Sequence, residues 1–499
     1  MTVHTGLDEK VRTFSSLDPA TGEPVGEYPI HNEAAVRATV ERAGGAADWW
    51  KDLGWKERAQ RLLAWKALLA RRVNQLADVV CRETGKPLGD AQLEILLTIE
   101  HLHWAAKNAR KVLGPRRVRP GTLGMNMAAT LEYHPFGVVG VIGPWNYPVF
   151  TPMGSIAYAL AAGNACVFKP SEYTPGVGEW LVRSFGEVVP EQPVLQLVTG
   201  EGETGAALAR AGVGKLAFTG STATARKVMA TCAESLTPIV AECGGKDALI
   251  VDADADLTAA ADAAVWGAMS NAGQTCVGVE RVYVVDGVYD DFVRRVTESA
   301  AALRPGEDRQ AAYGPMTMPS QLDVIRRQVE DAMQRGGRAI VGGPRAVRSP
   351  YVDPVVLVDV PDDTPAMTEE TFGPTVAITR VNDREEALGR ANATSYGLGA
   401  AVFSRNRGRA MDLARRLRSG MTAINSVISF AGVPALPFGG VGDSGFGRIH
   451  GADGLREFAR SKAITRQRFP LPVTPTSFRR REGDLDKLVQ MVQLRHGRR

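Results

Sequence analysis

The sequence predicts an α/β protein with two doubly wound α/β domains and a separate β-ribbon. Two observations lead to this fold class. Between Phe136 and Asn425, short apolar runs alternate with stretches of helical periodicity, an order that indicates parallel sheets covered by helices. Residues 111–135 interrupt the helical pattern with proline, glycine and an alternating polar and apolar segment, which is typical of a β-ribbon. A chain of 499 residues is also too long for a single core.

The predicted elements follow in chain order. Residues 18–30 are rich in turn formers, and helical periodicity then runs from 33 to 106. In the first α/β block the predicted strands are 136–143, 164–168, 194–198, 214–218, 238–242 and 248–251. A helix at 256–270 opens the second block, where the predicted strands are 281–285, 338–342, 354–360, 375–381, 399–404 and 421–425, and the helices are 289–303, 320–335, 383–393 and 407–418. Polar residues directly after parallel strands are the candidates for a binding site.

The composition excludes several classes of protein. The chain is 44% hydrophobic and 23% charged, lacks an apolar run of the roughly 18 residues that a membrane helix needs, and shows no signal pattern in Met1–Lys10. A soluble cytoplasmic protein is therefore expected. Its five cysteines follow no pairing motif, which favours a reducing compartment. His101 and His103 face different sides of a helix, so they are expected to be core or solvated histidines, and no metal site is expected.

The charge is concentrated at the C-terminus. Residues 466–499 hold nine Lys or Arg against three Asp or Glu, whereas the rest of the chain is close to neutral, so a nucleic-acid-binding protein is not indicated. In the predicted last helix an amphipathic stripe is formed by Leu485, Leu488, Val489 and Val492. Packing of this helix on the body or on a partner subunit is favoured over membrane contact.

Cys276 is the candidate nucleophile. It lies in Asn271–Gly278, between the helix at 256–270 and the strand at 281–285, a corner from which a side chain can enter a cleft. The alternative is a buried free cysteine that packs as a small apolar residue. Catalysis would also require a base and an oxyanion donor.

Two motifs at strand ends supply candidates for these roles. Asn146, between two prolines in residues 144–148, could be a fixed donor to developing negative charge, or an amide that caps its own loop. Glu242 ends a strand ahead of two glycines and could be a general base for water, or could form a salt bridge with Lys246.

Other strand ends carry candidates for nucleotide binding. Lys169 and Glu172 could bracket a ribose diol, or be solvated loop charges. Gly220 and Ser221 could present backbone N–H groups to a phosphate, or form an ordinary helix cap. The GxGxxG pattern at 200–205 lacks the acidic residue that should follow about 20 residues later, and it is a weak indication.

Taken together, seven motifs resemble those of the aldehyde dehydrogenase superfamily, in the same order. They are PWNYP (144–148), KPSE (169–172), FTGST (218–222), ECGGK (242–246), GQTC (273–276), EETFGP (369–374) and PFGG with SGFGR (437–448). The resemblance implies that the Cys276 thiolate attacks an aldehyde, that Asn146 and the Cys276 backbone N–H hold the oxyanion, and that Glu242 activates the water that hydrolyses the thioester.

The resemblance also implies a cofactor site, a domain organisation and an assembly. NAD is the expected cofactor, because the Glu172 carboxylate would repel the 2′-phosphate of NADP. NADP is a possible alternative. The implied domains are a Rossmann-like NAD-binding domain (1–112 and 136–246), a catalytic domain (247–446), an oligomerisation ribbon (113–135 and 460–470) and a basic extension (471–499). A homodimer or homotetramer is implied. The implied cofactor-binding residues are Trp145, Lys169, Glu172, Gly220, Ser221, Glu370 and Phe372.

Some features separate this chain from the usual pattern or narrow its function. Ala225 and Cys243 stand where the family usually has glycine and leucine. The presence of Glu242 favours hydrolysis over a CoA-acylating aldehyde dehydrogenase, and a Cys-dependent esterase that uses the same cysteine and glutamate is the other alternative. The loop at 426–436, which resembles the substrate entrance, has no Lys, Arg or His, and Gly154 is expected to leave room beneath it, so an apolar or aromatic aldehyde is expected.

Overall fold

The computed structural model describes residues 12–307, 311–471 and 476–497. The chain forms two compact units. The first comprises the described residues up to Val112 together with Pro135–Arg460, and the second comprises Leu113–His134 and the described residues from Ser461 onward. No helix within the described ranges is long and apolar enough to cross a membrane. The prediction on Met1–Lys10 lies outside the described residues.

The first unit opens with a hairpin and four helices, as the helical periodicity predicts. Asn32 caps the first helix because its side chain accepts a hydrogen bond from the N–H of Ala35 at 2.9 Å. Gly85 ends the third helix in the left-handed conformation, with φ of 71°. These elements are β1 (Thr13–Leu17), β2 (Pro24–Pro29), α1 (Glu33–Asp52), α2 (Gly54–Arg71), α3 (Val73–Thr84) and α4 (Leu88–Leu113).

A six-stranded sheet forms the core of the first α/β block. Five of its strands are parallel and form β9-β8-β5-β6-β7, and an antiparallel strand from the end of the chain, β19, pairs with β9. The strands are β5 (Val138–Ile142), β6 (Ala165–Lys169), β7 (Leu195–Leu197), β8 (Lys215–Thr219), β9 (Ile239–Glu242) and β19 (Gly445–Phe446). The helices are α5 (Phe150–Ala162), α6 (Pro175–Val188), α7 (Gly202–Arg210) and α8 (Thr222–Glu234).

The register of this sheet brings the strand-end motifs to one edge. Ile142 lies opposite both Lys169 and Phe218, and Thr219 lies opposite Glu242. The loops that follow β5, β6, β8 and β9 therefore emerge side by side.

A seven-stranded sheet forms the core of the second block, in the order β12-β15-β16-β11-β10-β17-β18. The strand predicted at 248–251 as part of the first block is β10 of this sheet, so that assignment was wrong: β10 pairs with β11 and β17, and local composition does not indicate the partners of a strand. All neighbours are parallel except β12, which is antiparallel to β15. The side chains of β10 and β11 are buried along their whole length, as expected for strands covered on both faces. The strands are β10 (Asp247–Val251), β11 (Val279–Val285), β12 (Arg338–Val341), β15 (Val355–Val358), β16 (Thr375–Val381), β17 (Ala400–Phe403) and β18 (Ala423–Ile424), with the small hairpin β13 (Val347–Arg348) and β14 (Tyr351–Val352).

The helices of the second block and of the following segment complete the first unit. Asp256 caps the first of them, since its carboxylate accepts from the N–H groups of Thr258 and Ala259 at 3.1 Å. They are α9 (Leu257–Met269), α10 (Asp286–Ala301), α11 (Gln321–Gln334), α12 (Pro365–Thr368), α13 (Arg384–Asn392), α14 (Arg407–Arg416) and α15 (Gly451–Glu457).

The second unit contains a three-stranded ribbon and the last helix. The ribbon has the order β20-β4-β3, from β3 (Arg116–Val118), β4 (Met127–Pro135) and β20 (Ala459–Gln467). On α16 (Asp484–His496) the amphipathic stripe is partly exposed, with Leu485 at 42% and Val489 at 51%. Residues 472–475 and 498–499 of the basic extension lie outside the described residues. The oligomerisation role of the ribbon and the domain bounds stay predictions.

Candidate active site

Cys276 lies on the loop between α9 and β11, as the sequence indicates. The chain turns sharply before it, because Asn271 and Ala272 both adopt positive φ, at 52° and 56°. A side chain at Gly245 is excluded, since its Cβ would lie 2.5 Å from the carbonyl oxygen of Cys276. The thiol is free and partly exposed. Burial raises its pKa well above the usual range, and the nearby carboxylates, first Glu242 and then Glu370, raise it further. The resting thiol is therefore neutral and needs a proton acceptor.

Glu242, the last residue of β9, is the carboxylate in contact with this thiol. Burial raises its pKa to about 8, and contact with the Cys276 thiol offsets part of the rise. Neither carboxylate oxygen makes a hydrogen bond of ordinary geometry within the described parts of the chain. Lys246 forms its ion pair with Glu280, so the alternative salt bridge between Glu242 and Lys246 is absent from the described residues.

Asn146 reaches across to the nucleophile loop. Its Nδ2 donates a hydrogen bond to the carbonyl oxygen of Gln274 at 2.9 Å, two residues before Cys276. The backbone carbonyl oxygen of Asn146 accepts hydrogen bonds from Lys86 Nζ at 2.8 Å and from Asn271 Nδ2 at 3.1 Å. The side-chain amide of Asn146 therefore bonds to the loop that carries Cys276 and not to its own loop.

A buried ion pair that the sequence did not indicate holds the Asn146 loop. Lys86 Nζ lies 2.8 Å from Glu94 Oε2, and the two side chains are 1% and 0% exposed. Glu94 Oε1 also accepts from the backbone N–H groups of Val149 and Phe150, at 2.7 and 3.0 Å. One carboxylate thus fixes the loop's far end while Lys86 fixes Asn146. Both residues are about 50 to 60 positions earlier in the chain, and no local motif connects them to this loop.

All of the predicted site residues line one cavity. Its volume is about 1090 Å³, slightly above the roughly 300–1,000 Å³ of most ligand and cofactor sites. The loops after β5, β6, β8 and β9 contribute to it, together with residues of the second block. The predicted residues among its lining are Trp145, Asn146, Lys169, Glu172, Gly220, Ser221, Glu242, Cys276, Glu370 and Phe372.

Residues at the ends of β6 and β8 line the same cavity. Lys169 is buried, donates to the carbonyl oxygen of Pro170 at 2.9 Å and lies 3.9 Å from the half-exposed carboxylate of Glu172. Burial lowers the pKa of Lys169. Ser221 caps α8 by accepting from the N–H of Thr224 at 3.2 Å, so the helix-cap interpretation holds as well. The α8 N-terminus nevertheless opens into the cavity, where an anion would be stabilised.

Glu370 and Phe372 lie on a turn beside the ECGGK segment. The Glu370 carboxylate accepts from the N–H of Gly245 at 3.1 Å. Burial raises its pKa to about 8, with Glu280 the next contributor. A Cβ at Gly244 would collide with this carboxylate. Phe372 has a positive φ of 53°, and its ring meets that of Trp145 edge-on with centroids 5.5 Å apart.

An apolar cluster surrounds the nucleophile on its other side. Cys276 packs there with the partly buried Phe150, Ile428 and Phe430 against a buried core formed by Val277, Leu398, Met421, Ala431, Phe438 and Ile449. Ile428, Phe430 and Ala431 of this cluster belong to the loop expected to form the substrate entrance.

The expected space beneath Gly154 is filled, so that prediction was wrong. A Cβ there would lie 2.6 Å from His450 Nε2 and 2.9 Å from Ile449 Cδ1. Because Gly154 has no side chain, His450 can pack against it, and no cavity is enlarged there. His101 is a buried core histidine, as expected, and its Nε2 lies 2.9 Å from the carbonyl oxygen of Ala431 in the entrance loop.

Comparisons with known proteins agree with this geometry. The profile of the aldehyde dehydrogenase family matches residues 7–464. The chain is 37% identical to the 4,4′-diapolycopene aldehyde oxidase of Methylomonas sp over 93% of this chain and 88% of that protein. It is 35% identical to a probable succinate-semialdehyde dehydrogenase [NADP(+)] of Sinorhizobium fredii, over 92% and 94%.

The structural comparison gives the same result. The crystal structure of PnpE in complex with nicotinamide adenine dinucleotide is similar with a TM-score of 0.88 and 32% identity, over 93% of this chain and 96% of that one. The family profile spans both large sheets and the site. This chain belongs to the aldehyde dehydrogenase family.

Proposed function

We propose that this protein oxidises an aldehyde to a carboxylate, with Cys276 as nucleophile and NAD as hydride acceptor. The observation that carries the proposal is the convergence of Cys276, Glu242 and Asn146 on the cavity that Lys169 and Glu172 also line.

The residues of this cavity fit a dinucleotide. It combines a helix N-terminus, a lysine and a carboxylate after β6, and an aromatic pair, and its volume suits a ligand of that size. Lys169 and Glu172 would hold the adenosine ribose, Gly220 and Ser221 the pyrophosphate, and Glu370 the nicotinamide ribose, with Trp145 and Phe372 beside the nicotinamide. The bound cofactor would supply a hydride acceptor.

In the first step Cys276 Sγ attacks the carbonyl carbon, and its proton passes to Glu242. The new C–S bond places negative charge on the former carbonyl oxygen. An amide nitrogen has two N–H donors, and Asn146 uses one of them on Gln274. The other, with the backbone N–H of Cys276, would stabilise the oxyanion.

Loss of the hydride leaves a thioester on Cys276. Glu242 releases the first proton to solvent, and its carboxylate then accepts a proton from water as the water oxygen attacks the thioester carbon. The C–S bond breaks, the thiol takes back a proton, and the product is a carboxylate. The net reaction consumes one aldehyde, one NAD+ and one water and yields one carboxylate, one NADH and two protons.

NAD is proposed over NADP because the Glu172 carboxylate lines the cavity and would repel a 2′-phosphate. The relatives include both kinds: one is named for NADP(+), and the PnpE structure contains NAD. By resemblance, we also propose assembly as a homodimer or homotetramer through the ribbon, which light scattering would test.

An apolar or aromatic aldehyde is the proposed substrate class. Apolar side chains, Phe150, Ile428 and Phe430, pack around Cys276, and the loop at 426–436 has no Lys, Arg or His that could bind a second carboxylate on a substrate. The diapolycopene aldehyde oxidase is a relative named for an apolar aldehyde, whereas other relatives are named for semialdehydes with a carboxylate.

The test is absorbance of the reduced nicotinamide while the protein meets a panel of aldehydes with NAD or NADP. We expect turnover with NAD, abolished by Cys276→Ala, and higher kcat/KM for hexanal or benzaldehyde than for succinic semialdehyde. The reverse ranking would refute the substrate class. Turnover of esters alone, or of aldehydes only with coenzyme A, would refute the hydrolytic dehydrogenase.

A further inference from the structure

We propose that the buried ion pair of Lys246 and Glu280 positions the turn that carries Glu370 and Phe372, and so sets the affinity for the nicotinamide cofactor. This inference rests on the proposed function, which assigns both turn residues to the nicotinamide end of the site. Neither Lys246 nor Glu280 lines the cavity, so both are positioning residues.

Glu280 holds the backbone of the turn directly. Its two carboxylate oxygens lie 3.1 and 3.0 Å from the N–H of Thr371, and one of them is 3.4 Å from the N–H of Phe372. Lys246 completes the arrangement by an ion pair with Glu280 and by donating to Thr371 Oγ1 at 3.0 Å. The two side chains are 0% and 9% exposed, where charge-assisted hydrogen bonds are strong.

Two glutamines of α11 hold the same turn from the other side. Gln321 Nε2 donates to the carbonyl oxygen of Thr371 at 2.6 Å. Gln328 accepts from Thr371 Oγ1 at 2.7 Å and donates to the carbonyl oxygen of Glu370 at 3.3 Å. The N–H, the carbonyl and the hydroxyl of Thr371 are therefore all bonded, and Thr371 is the fixed centre of the turn.

The turn needs this support because Phe372 is strained. Its φ of 53° is a conformation that residues with a Cβ rarely adopt and that persists only where surrounding bonds impose it. Without the charged acceptor at its N–H groups, Thr371 and Phe372 would relax, and the Phe372 ring would leave its edge contact with Trp145. The nicotinamide end of the cavity would then have to be reassembled by the cofactor at the expense of binding free energy.

The competing interpretation is that the pair only stabilises the fold. Lys246 directly precedes β10 and Glu280 lies on β11, two neighbouring strands, so the pair could simply join them. The two interpretations differ in what happens when both charges are removed. Removing one partner leaves an uncompensated buried charge, whereas removing both relieves that penalty but still deprives the turn of its charged acceptor.

The experiment measures NAD binding by isothermal titration calorimetry and Tm by calorimetry. The variants are Glu280→Gln and the double variant Lys246→Met with Glu280→Gln. We expect Kd for NAD to rise about tenfold in both, the loss of one charge-assisted contact. Tm should fall in the single variant and recover in the double variant. The matched control is Glu457→Gln, which breaks the Lys215–Glu457 ion pair, whose lysine lies at the opposite end of β8 from the cavity. Its Kd should equal that of wild type.

Recovery of Kd together with Tm in the double variant would overturn the positioning role, as would an unchanged Kd in both variants. Absence of NAD binding and of aldehyde oxidation in the wild type would overturn the proposed function and this assignment with it. If the wild type binds NAD and both variants have the same Kd for NAD as the wild type, only the positioning role of Lys246 and Glu280 is overturned.

Discussion

The buried carboxylate of Glu242 makes a quantitative prediction about pH. A general base acts only in its ionised form, so hydrolysis of the Cys276 thioester should become faster as pH rises through the pKa of Glu242. With that pKa at about 8, roughly a tenth of the carboxyl groups are ionised at pH 7 and roughly nine tenths at pH 9. The deacylation rate should therefore rise about tenfold between these values. An unperturbed glutamate, with a pKa of about 4.3, would give no change over this range.

The assay isolates this step by loading the acyl group first. Cys276 is acylated with a p-nitrophenyl ester, excess ester is removed, and loss of the acyl mass is followed by mass spectrometry between pH 6 and 9.5. Because the thiol is already consumed, its own high pKa does not enter. Acylation also removes the thiol contact that partly offsets the rise in the pKa of Glu242, so the midpoint should not fall below about 8.

Two variants identify which carboxyl group sets the midpoint of the pH profile of deacylation. Glu242→Gln should deacylate slowly, with only the hydroxide-driven increase at high pH. Glu370 also has a pKa of about 8, in part because of Glu242. Glu370→Gln should nevertheless keep the midpoint, since burial is the main cause of the shift in Glu242. A flat profile, a midpoint below pH 6, or a midpoint that disappears in Glu370→Gln would refute the reasoning.

Two further predictions concern groups that the sequence did not indicate. Glu94→Gln should lower the free energy of unfolding by about 3 kcal/mol, because Lys86 stays buried without its counter-charge, and should lower kcat roughly tenfold as the Asn146 loop shifts. Denaturant unfolding and steady-state rates measure the two effects, and unchanged values would contradict the role of the pair. Gly154→Ala should lower the free energy of unfolding by about 1 to 3 kcal/mol, because the new Cβ would collide with His450. The control Gly186→Ala has open space around its Cβ, so it should leave the free energy of unfolding unchanged or raise it by up to about 1 kcal/mol. Equal effects on Tm would show that the steric account is wrong.

Much of the fold could be predicted because its signals are local. Apolar runs of strand length alternating with helical periodicity predicted most strands of both sheets, although 248–251 was assigned to the wrong sheet. Parallel strands bring their carboxyl ends together without further information. This is why Asn146, Lys169, Ser221 and Glu242 could be grouped before any distance was known. The strand β12 was predicted but its antiparallel direction was not, and the two-residue strand β19 was not predicted, since both depend on distant pairing and not on local composition.

The parts that could not be predicted depend on contacts distant in sequence. Lys86 and Glu94 precede the Asn146 loop by more than 50 residues, and charge pairs in a helical region are usually solvated. Lys246 was considered as a partner for Glu242, but the adjacent strand β11 places Glu280 nearer. Gly154 was interpreted from its missing side chain alone, while the residue that occupies the space, His450, follows almost 300 positions later.

The most direct test of the central claim is the mass of the covalent intermediate. Glu242→Gln is mixed with hexanal and NAD at pH 9.5, where hydroxide can take the thiol proton that Glu242 accepts in the wild type, it is quenched in acid within the first turnovers, and its intact and peptide masses are measured. We predict an adduct equal to the aldehyde less two hydrogens, on the Cys276 peptide, formed only when NAD is present and absent in Cys276→Ala. An adduct on another residue, or none while the wild type oxidises hexanal, would contradict the assignment of Cys276 and Glu242.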